Sequence, residues 1–121
     1  MSEIIKGRNF PAIVIAPQTA NGWKPQSIKE VIDKVRAQYT TDSTRLYVIG
    51  MSMGGYGTIN FAGTYPELVT GAVAMCGGGD LHLAEGLSKV PIWIRHGDKD
   101  YVTPTVYFSK DIEGIPIVSM I

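Results

Sequence analysis

The chain has 121 residues, and its eleven lysines and arginines balance eleven aspartates and glutamates, so it carries no formal net charge. Its length predicts a single domain over residues 1–121, and a composition of 45% hydrophobic and 18% charged residues excludes a disordered chain. The charge balance gives no reason to expect nucleic acid or an anionic membrane as a partner. The single cysteine excludes an internal disulfide framework and a multi-cysteine metal site, and no cofactor motif is visible.

No apolar run reaches the length of about 18 residues that a membrane-spanning helix needs. The first ten residues, MSEIIKGRNF, lack the apolar centre of a signal peptide. A cytoplasmic location is therefore the expectation from sequence.

The first half of the chain predicts two strands with a helix between them. Residues 10–17, FPAIVIAP, are an apolar β-branched run bounded by prolines and predict a buried strand. Residues 27–30, SIKE, match a capping box, and the apolar residues that follow at helical spacing predict an amphipathic helix over about 28–39. Residues 45–50, RLYVIG, predict a second buried strand.

The same alternation continues in the second half. A helix is predicted over residues 53–64, because Pro66 ends it, and a shorter one over residues 105–113. Further strands are predicted at residues 69–77, 90–97 and 115–121. Apolar strands that alternate with helices predict an α/β fold, with a parallel sheet of about four to five strands and helices on both faces.

A serine stands between the second strand and the next helix. Residues 50–54 read Gly-Met-Ser-Met-Gly, a G-x-S-x-G in the strand–turn–helix context of a nucleophile elbow. Gly50 and Gly54 are expected to prevent side-chain collisions on either side of Ser52. The turn would expose the Ser52 hydroxyl, aim the helix N-terminus at a developing oxyanion, and make the backbone N–H of Met53 an oxyanion-hole donor. The alternative is a glycine-rich turn without chemistry.

A nucleotide-binding turn is a further interpretation of the same glycines. The spacing is not G-x-G-x-x-G, and no Gly-Lys-Ser/Thr occurs in this stretch. Both the dinucleotide-binding and the P-loop motifs are therefore excluded.

Two carboxylates follow the strand predicted at residues 90–97. Asp98 and Asp100 lie in RHGDKDYVTP, residues 95–104. A catalytic triad needs a carboxylate on such a loop to orient the imidazole and stabilise its charge. The alternative is a pair of turn-forming aspartates beside a glycine.

These motifs together carry a family resemblance. IGMSMGGYG, followed by PIWIRHGDKDYVTP, resembles the α/β-hydrolase fold, in its phospholipase and carboxylesterase branch near the dienelactone hydrolases and acyl thioesterases. In that branch H-G-x-x-D-x-x-V-P carries the acid at its aspartate, which matches Asp100, while Pro104 stands one position late. The resemblance covers about residues 10–104. It implies a serine hydrolase that cleaves carboxylic esters or thioesters of small molecules through an acyl-enzyme on Ser52.

The histidine that the resemblance implies is missing. The family order is serine, aspartate, histidine, yet His82 and His96 both precede Asp100 and no histidine follows it. His96 takes the strand-end place of the H-G turn, and His82 is expected at the surface unless its loop folds over Ser52. A single, incomplete α/β-hydrolase domain that is weakly active or inactive by itself is therefore expected. The alternative is a non-catalytic module that binds or assembles.

The beginning of the chain also departs from the family pattern. No H-G-rich loop precedes IVIAPQ, residues 13–18, so the second oxyanion donor would have to come from Gln18 or Thr19. The resemblance also implies a strand between IVIAPQ and RLYVIG that this chain lacks. Either the first strand moves inward to pair, or a gap remains. Because an unpaired strand edge promotes association, a homo-oligomer is expected.

Aromatic residues near the predicted strand ends are candidates for an acyl pocket. Tyr101 is the best of them, because it stands beside Asp100. Cys76, in AMCGGGD, is expected to be a small buried residue.

Overall fold

The described residues form a three-stranded parallel sheet with helices packed against it. The structure is a computed structural model and describes residues 6–7 and 11–97. Its elements are helix α1 (Pro25–Gln38), strand β1 (Tyr47–Met51), helix α2 (Met53–Thr64), strand β2 (Gly71–Met75), a 3₁₀ turn (Leu81–Leu83), helix α3 (Ala84–Leu87) and strand β3 (Ile92–Arg95). The strand order is β1-β2-β3, with every pair parallel. The predicted α/β fold is confirmed.

One face of the sheet carries the core. Strands β2 and β3 alternate, so that Ala72 and Ala74 face the same side as Ile92 and Ile94 and are buried there. Helix α2 lies across β1 and β2 on this side, and α3 packs on α2. The buried apolar residues are Ile32, Ile59, Phe61, Ala62, Val69, Ala72, Ala74, Leu87, Val90, Ile92 and Ile94. Burial of this surface is the main favourable term for the fold.

Within the described residues, no helix covers the opposite face of the sheet. Tyr47, Ile49 and Met51 alternate along β1, and their exposed fractions are 63%, 67% and 67%. Trp93 of β3 lies on the same side with 40% of its surface exposed, and the Arg95 guanidinium lies 5.9 Å from its ring centroid. The expectation of helices on both faces is thus met on one face only within residues 11–97.

The strand predicted over residues 10–17 is wrong over its described part. Residues 11–17 belong to no strand, and Ile13 and Val14 are exposed. Ile15 is partly buried against the core. A strand needs a neighbouring ladder, and prolines at both ends of this segment provide no N–H donor. The segment therefore does not pair with β1 in the described sheet.

Helix α1 begins three residues before its predicted start. Pro25 occupies its first turn, and Lys24 is the N-cap residue without a side-chain hydrogen bond. Proline suits this position because its fixed φ is helical and its missing N–H would have no partner there. The capping box predicted at Ser27 is therefore wrong, whereas the amphipathic helix itself is confirmed.

A polar turn leads into β1. The Asp42 carboxylate accepts hydrogen bonds from the Thr44 N–H at 2.9 Å and from the Thr44 hydroxyl, and Arg45 Nε donates to it at 2.8 Å. These bonds, above all that from the Thr44 hydroxyl, hold the pKa of Asp42 below its usual value. The Thr70 hydroxyl donates to the Thr44 carbonyl at 2.7 Å and accepts from the Leu46 N–H at 3.0 Å. This side chain fixes the beginning of β1 beside that of β2.

The remaining predicted elements occur with small changes in their bounds. The helix over residues 53–64 is confirmed, and the strands predicted at 69–77 and 90–97 are present as shorter strands. The helix predicted at 105–113 and the strand at 115–121 lie outside the described residues. Within the described part of the chain, no helix is long and apolar enough to cross a membrane.

Candidate active site at the strand-to-helix turn

Ser52 stands alone between the end of β1 and the beginning of α2. Its backbone has φ 55° and ψ −119°, a conformation that is unfavourable for a residue with a side chain. Its N–H donates to the Met75 carbonyl at 2.8 Å, and its carbonyl accepts from the Tyr56 N–H at 3.1 Å. The backbone is thus fixed on both sides, while the side chain is exposed and makes no capping hydrogen bond.

Met53 is the first residue of α2. The N–H groups of a first helical turn have no partner inside the helix and carry a partial positive charge. The side chain of Met53 is exposed. The backbone N–H next to Ser52 therefore belongs to the positive end of α2.

The glycines around Ser52 play different parts. A Cβ at Gly50 would lie 2.6 Å from the Thr58 hydroxyl oxygen and still closer to the Gly54 carbonyl. A Cβ at Gly54 would have no atom within 4 Å, so the expectation that Gly54 prevents a collision is wrong. A Cβ at Gly55 would lie 2.6 Å from the Met75 carbonyl oxygen. Gly55, rather than Gly54, is the residue that lets α2 lie against the sheet.

Cys76 lies beside this turn at the carboxyl end of β2. It follows Met75, the acceptor of the Ser52 N–H, and its own N–H donates to the Arg95 carbonyl at 2.8 Å. Its φ is 51° and its thiol is free and exposed. The expectation of a buried Cys76 is therefore wrong, because the positive φ turns its side chain out of the strand direction.

The two histidines lie in different surroundings. His96 directly follows β3 and is buried. His82 has an exposed fraction of 72%, and its Nδ1 lies 3.0 Å from Asp80 Oδ1. Its neighbour Leu83 packs against Gly63 of α2, eleven residues beyond Ser52 and so about 16 Å further along the helix axis. The loop of His82 runs away from Ser52 rather than over it.

Asp98, Asp100 and Tyr101 lie outside the described residues. Of the two expected substitutes for a second oxyanion donor, Thr19 uses its hydroxyl locally, in a 2.7 Å hydrogen bond to the Gly22 carbonyl. Of the predicted nucleophile, acid and first oxyanion donor, the structure therefore describes the nucleophile Ser52 and the donor Met53.

Sequence reasoning missed a cleft beside α2. It has a volume of about 600 Å³ and a mixed lining, in which Pro25 and Leu83 accompany the polar side chains of Tyr56, Asn60 and Thr64. Asp80 and His82 line its other side. The four-residue spacing of the first three is a signal, because such residues share one face of a helix.

The comparisons with known proteins identify the family. A family model described as "Putative esterase" matches residues 7–108, so the chain belongs to this esterase family. A solved structure described as a thermostable esterase has a TM-score of 0.69 and 35% sequence identity, covering 79% of this chain and 27% of that one. The predicted resemblance to α/β esterases is confirmed.

Two curated relatives match shorter parts of larger proteins. Poly(3-hydroxyalkanoate) depolymerase C of Paucimonas lemoignei is 40% identical over 52 residues, which are 43% of this chain and 13% of that protein. The bifunctional acetylxylan esterase/xylanase XynS20E of Neocallimastix patriciarum is 30% identical over 100 residues, covering 74% of this chain and 15% of that protein. The chain thus spans less than a third of the length of the proteins it matches.

The contrast between Gly54 and Gly55 gives a direct test of the turn. Gly55→Ala is expected to lower the free energy of unfolding by about 1–3 kcal/mol, because the new methyl group would collide with backbone atoms. Gly54→Ala, the matched control, is expected to be neutral or to stabilise α2 by up to about 1 kcal/mol. Urea unfolding followed by circular dichroism measures both. Equal losses of stability in the two variants would contradict the packing described here.

Proposed function

We propose that this chain, as a single domain, provides the nucleophile of a carboxylic-ester hydrolase, and that the nucleophile is Ser52. The observation that carries the proposal is the exposed Ser52 hydroxyl at a positive-φ turn into the N-terminus of α2. Membership of an esterase family supports the choice of reaction. A serine held at such a turn is accessible to a substrate that approaches the carboxyl edge of the sheet.

In the proposed reaction, Ser52 Oγ bonds to the acyl carbon while its proton passes to a base. The carbonyl electron pair moves onto the oxygen, and the Met53 N–H at the positive end of α2 stabilises the oxyanion. The carbonyl then re-forms, the bond to the alcohol oxygen breaks, and the alcohol leaves with the proton. Water attacks the acyl-enzyme in the same manner and releases the acid together with free Ser52.

The proposal assigns Asp100 as the acid that orients the base, on the family resemblance alone. Neither histidine is assigned as the base, since His82 lies along the far turns of α2 and His96 is buried. A site that lacks its base retains roughly 10³–10⁴-fold acceleration over water from the oxyanion hole and binding. Weak hydrolysis by this chain alone follows from the proposal.

Oxygen esters are proposed in preference to thioesters. The names of the two relatives concern acetylxylan and a poly(3-hydroxyalkanoate), both of which carry oxygen esters. The alternative of a non-catalytic module is favoured by the lack of an assigned base, and it predicts an unreactive Ser52.

Covalent labelling separates these two proposals. Incubation with a fluorophosphonate is expected to add one phosphonyl group at Ser52, seen by intact-mass spectrometry, and to do so slowly because neither histidine is assigned as the base. Ser52→Ala is expected to remove the label. Ser88→Ala, which replaces an exposed serine elsewhere, is expected to keep it. Absence of label after long incubation, or label that persists in Ser52→Ala, would refute the assignment.

The edge of the sheet supports a second proposal, that the chain self-associates. Strand β1 is an edge strand of the described sheet, and Tyr47, Ile49 and Met51 are exposed along it. Open edges and apolar surface of this kind favour association with another copy.

Light scattering tests self-association. The particle in solution is expected to have at least twice the 13.1 kDa mass of one chain. Ile49→Lys is expected to shift it to the monomer, because a charge on β1 opposes pairing between edge strands. Tyr39→Lys, at an exposed position beyond α1, is the matched control and is expected to leave the mass unchanged. A wild-type chain that is strictly monomeric would contradict the proposal.

A further inference from the structure

Thr58 is a buried polar residue in the second turn of α2. Only 2% of its surface is exposed, and its hydroxyl donates to the Gly54 carbonyl at 2.9 Å. A threonine inside a helix often satisfies its hydroxyl in this way, by bonding to the carbonyl four residues earlier. The bond by itself therefore explains how the hydroxyl is satisfied, and a role for Thr58 has to come from what else the hydroxyl contacts.

The Thr58 hydroxyl also lies against Gly50, near the end of β1. A Cβ at Gly50 would stand 2.6 Å from the hydroxyl oxygen and still closer to the Gly54 carbonyl. Gly50 stands two residues before Ser52, and Gly54 stands two residues after it. One buried hydroxyl therefore joins the two residues that flank the proposed nucleophile.

The first turn of α2 is weakly determined by its own sequence. It contains Gly54 and Gly55, and glycine loses more backbone entropy on folding than any other residue. The N-cap residue Ser52 makes no side-chain hydrogen bond to this turn. A Cβ at Gly54 would have no atom within 4 Å, so packing on that side does not restrain the residue. The Gly54 carbonyl, by contrast, is held by the Thr58 hydroxyl.

The position of this turn matters for the proposed reaction. Met53, whose N–H is the proposed oxyanion donor, directly precedes Gly54. Such a donor acts only when it is held within hydrogen-bond distance of the developing charge, and a misplacement of about 1 Å can cost on the order of 10²-fold in rate. A hydroxyl that fixes Gly54 against Gly50 therefore limits the movement of the Met53 N–H.

We propose that Thr58 is a positioning residue for the reaction at Ser52. Its hydroxyl joins the end of β1 to the first turn of α2 and so keeps the Met53 N–H in place for the oxyanion. This role rests on the proposed ester hydrolysis and adds a residue that lies outside the G-x-S-x-G motif. Thr58 acts through Gly54 and Met53, and not by contact with the ester.

Thr58→Val tests this role, because it removes the hydroxyl and keeps the branched shape of the side chain. The limiting rate of fluorophosphonate labelling at Ser52 is expected to fall about 3–10-fold, as for the loss of one hydrogen bond. The probe concentration that gives half of this rate is expected to stay the same, since Thr58 does not contact the probe. Thr58→Ser keeps the hydroxyl and is expected to restore the rate.

Thr64→Val is the matched control on the same helix. The Thr64 hydroxyl makes the same kind of bond, to the Asn60 carbonyl at 2.7 Å, but Thr64 is exposed and ends the helix. This variant is expected to label at the wild-type rate. Urea unfolding shows that each variant is folded under the labelling conditions. Thr58→Val is expected to fold, because in an α-helix the Gly54 carbonyl still accepts the N–H of residue 58.

A labelling rate in Thr58→Val equal to that of the wild type, or an equal loss of rate in Thr58→Val and Thr64→Val, would overturn the role of Thr58 alone. A wild-type chain that takes no label refutes ester hydrolysis instead. Thr58 is then tested on Ser52→Cys in a Cys76→Ser background, by alkylation with iodoacetamide across a range of pH. Adding Thr58→Val is expected to raise the pH of half-maximal alkylation by about half a unit, toward the ordinary thiol value. An unchanged pH would show that Thr58 does not position the turn.

Discussion

The turn at Ser52 depends on one backbone hydrogen bond, from its N–H to the Met75 carbonyl at the end of β2. A serine at φ 55° is strained by an amount on the order of 1–3 kcal/mol and persists only where its surroundings determine its conformation. Here the bond to Met75 fixes one side, and the Tyr56 N–H fixes the other. Gly50 and Gly55 leave the space that both bonds require.

The remaining features of the site follow from this constraint. Because α2 begins directly after Ser52, its positive end points at whatever binds the hydroxyl. Gly55 lets α2 lie against the end of β2, and the segment after β2 packs along the same helix, where Gly78 meets the Tyr56 ring and Leu83 meets Gly63. The cleft lined by Tyr56 and Asn60 lies between them. The same arrangement concentrates the core on one face of the sheet. The apolar side chains of β1 on the other face stay exposed within the described residues, and this exposure supports the proposed self-association.

Local patterns allowed most of the fold to be predicted from sequence. The apolar run before Ser52 predicted strand β1, which begins two residues and ends one residue later than predicted, and helix α2 was predicted with correct bounds. Both patterns depend on short-range geometry. The strand predicted at residues 10–17 failed because an apolar run does not provide the neighbour that a strand must pair with. The predicted start of α1 was wrong because the helix begins at Pro25, a favourable first-turn residue, and not after a cap at Ser27.

The site was less predictable. Ser52 and Met53 are recognisable because the motif and the turn coincide, whereas the role of Asp100 still rests on the resemblance. Gly54 belonged to the motif and yet has open space around it, since contacts between distant residues decide which glycine is needed. The cleft was missed because Asp80 and Asn60 are twenty residues apart in sequence and line one cleft only when the segment after β2 packs on α2.

The central claim is that the turn at residue 52 favours the ionised form of a nucleophile placed there. The ionisation of a thiol at that position tests this claim most directly. In a Cys76→Ser background, Ser52→Cys is alkylated with iodoacetamide across a range of pH, and Ser88→Cys in the same background is the control. The positive end of α2 is expected to lower the pH at which alkylation of the thiol at residue 52 is half-maximal by about one unit from the ordinary thiol value of about 8.5. For the thiol at residue 88 this pH is expected to lie at or above the ordinary value. Equal midpoints at the two positions would contradict the account.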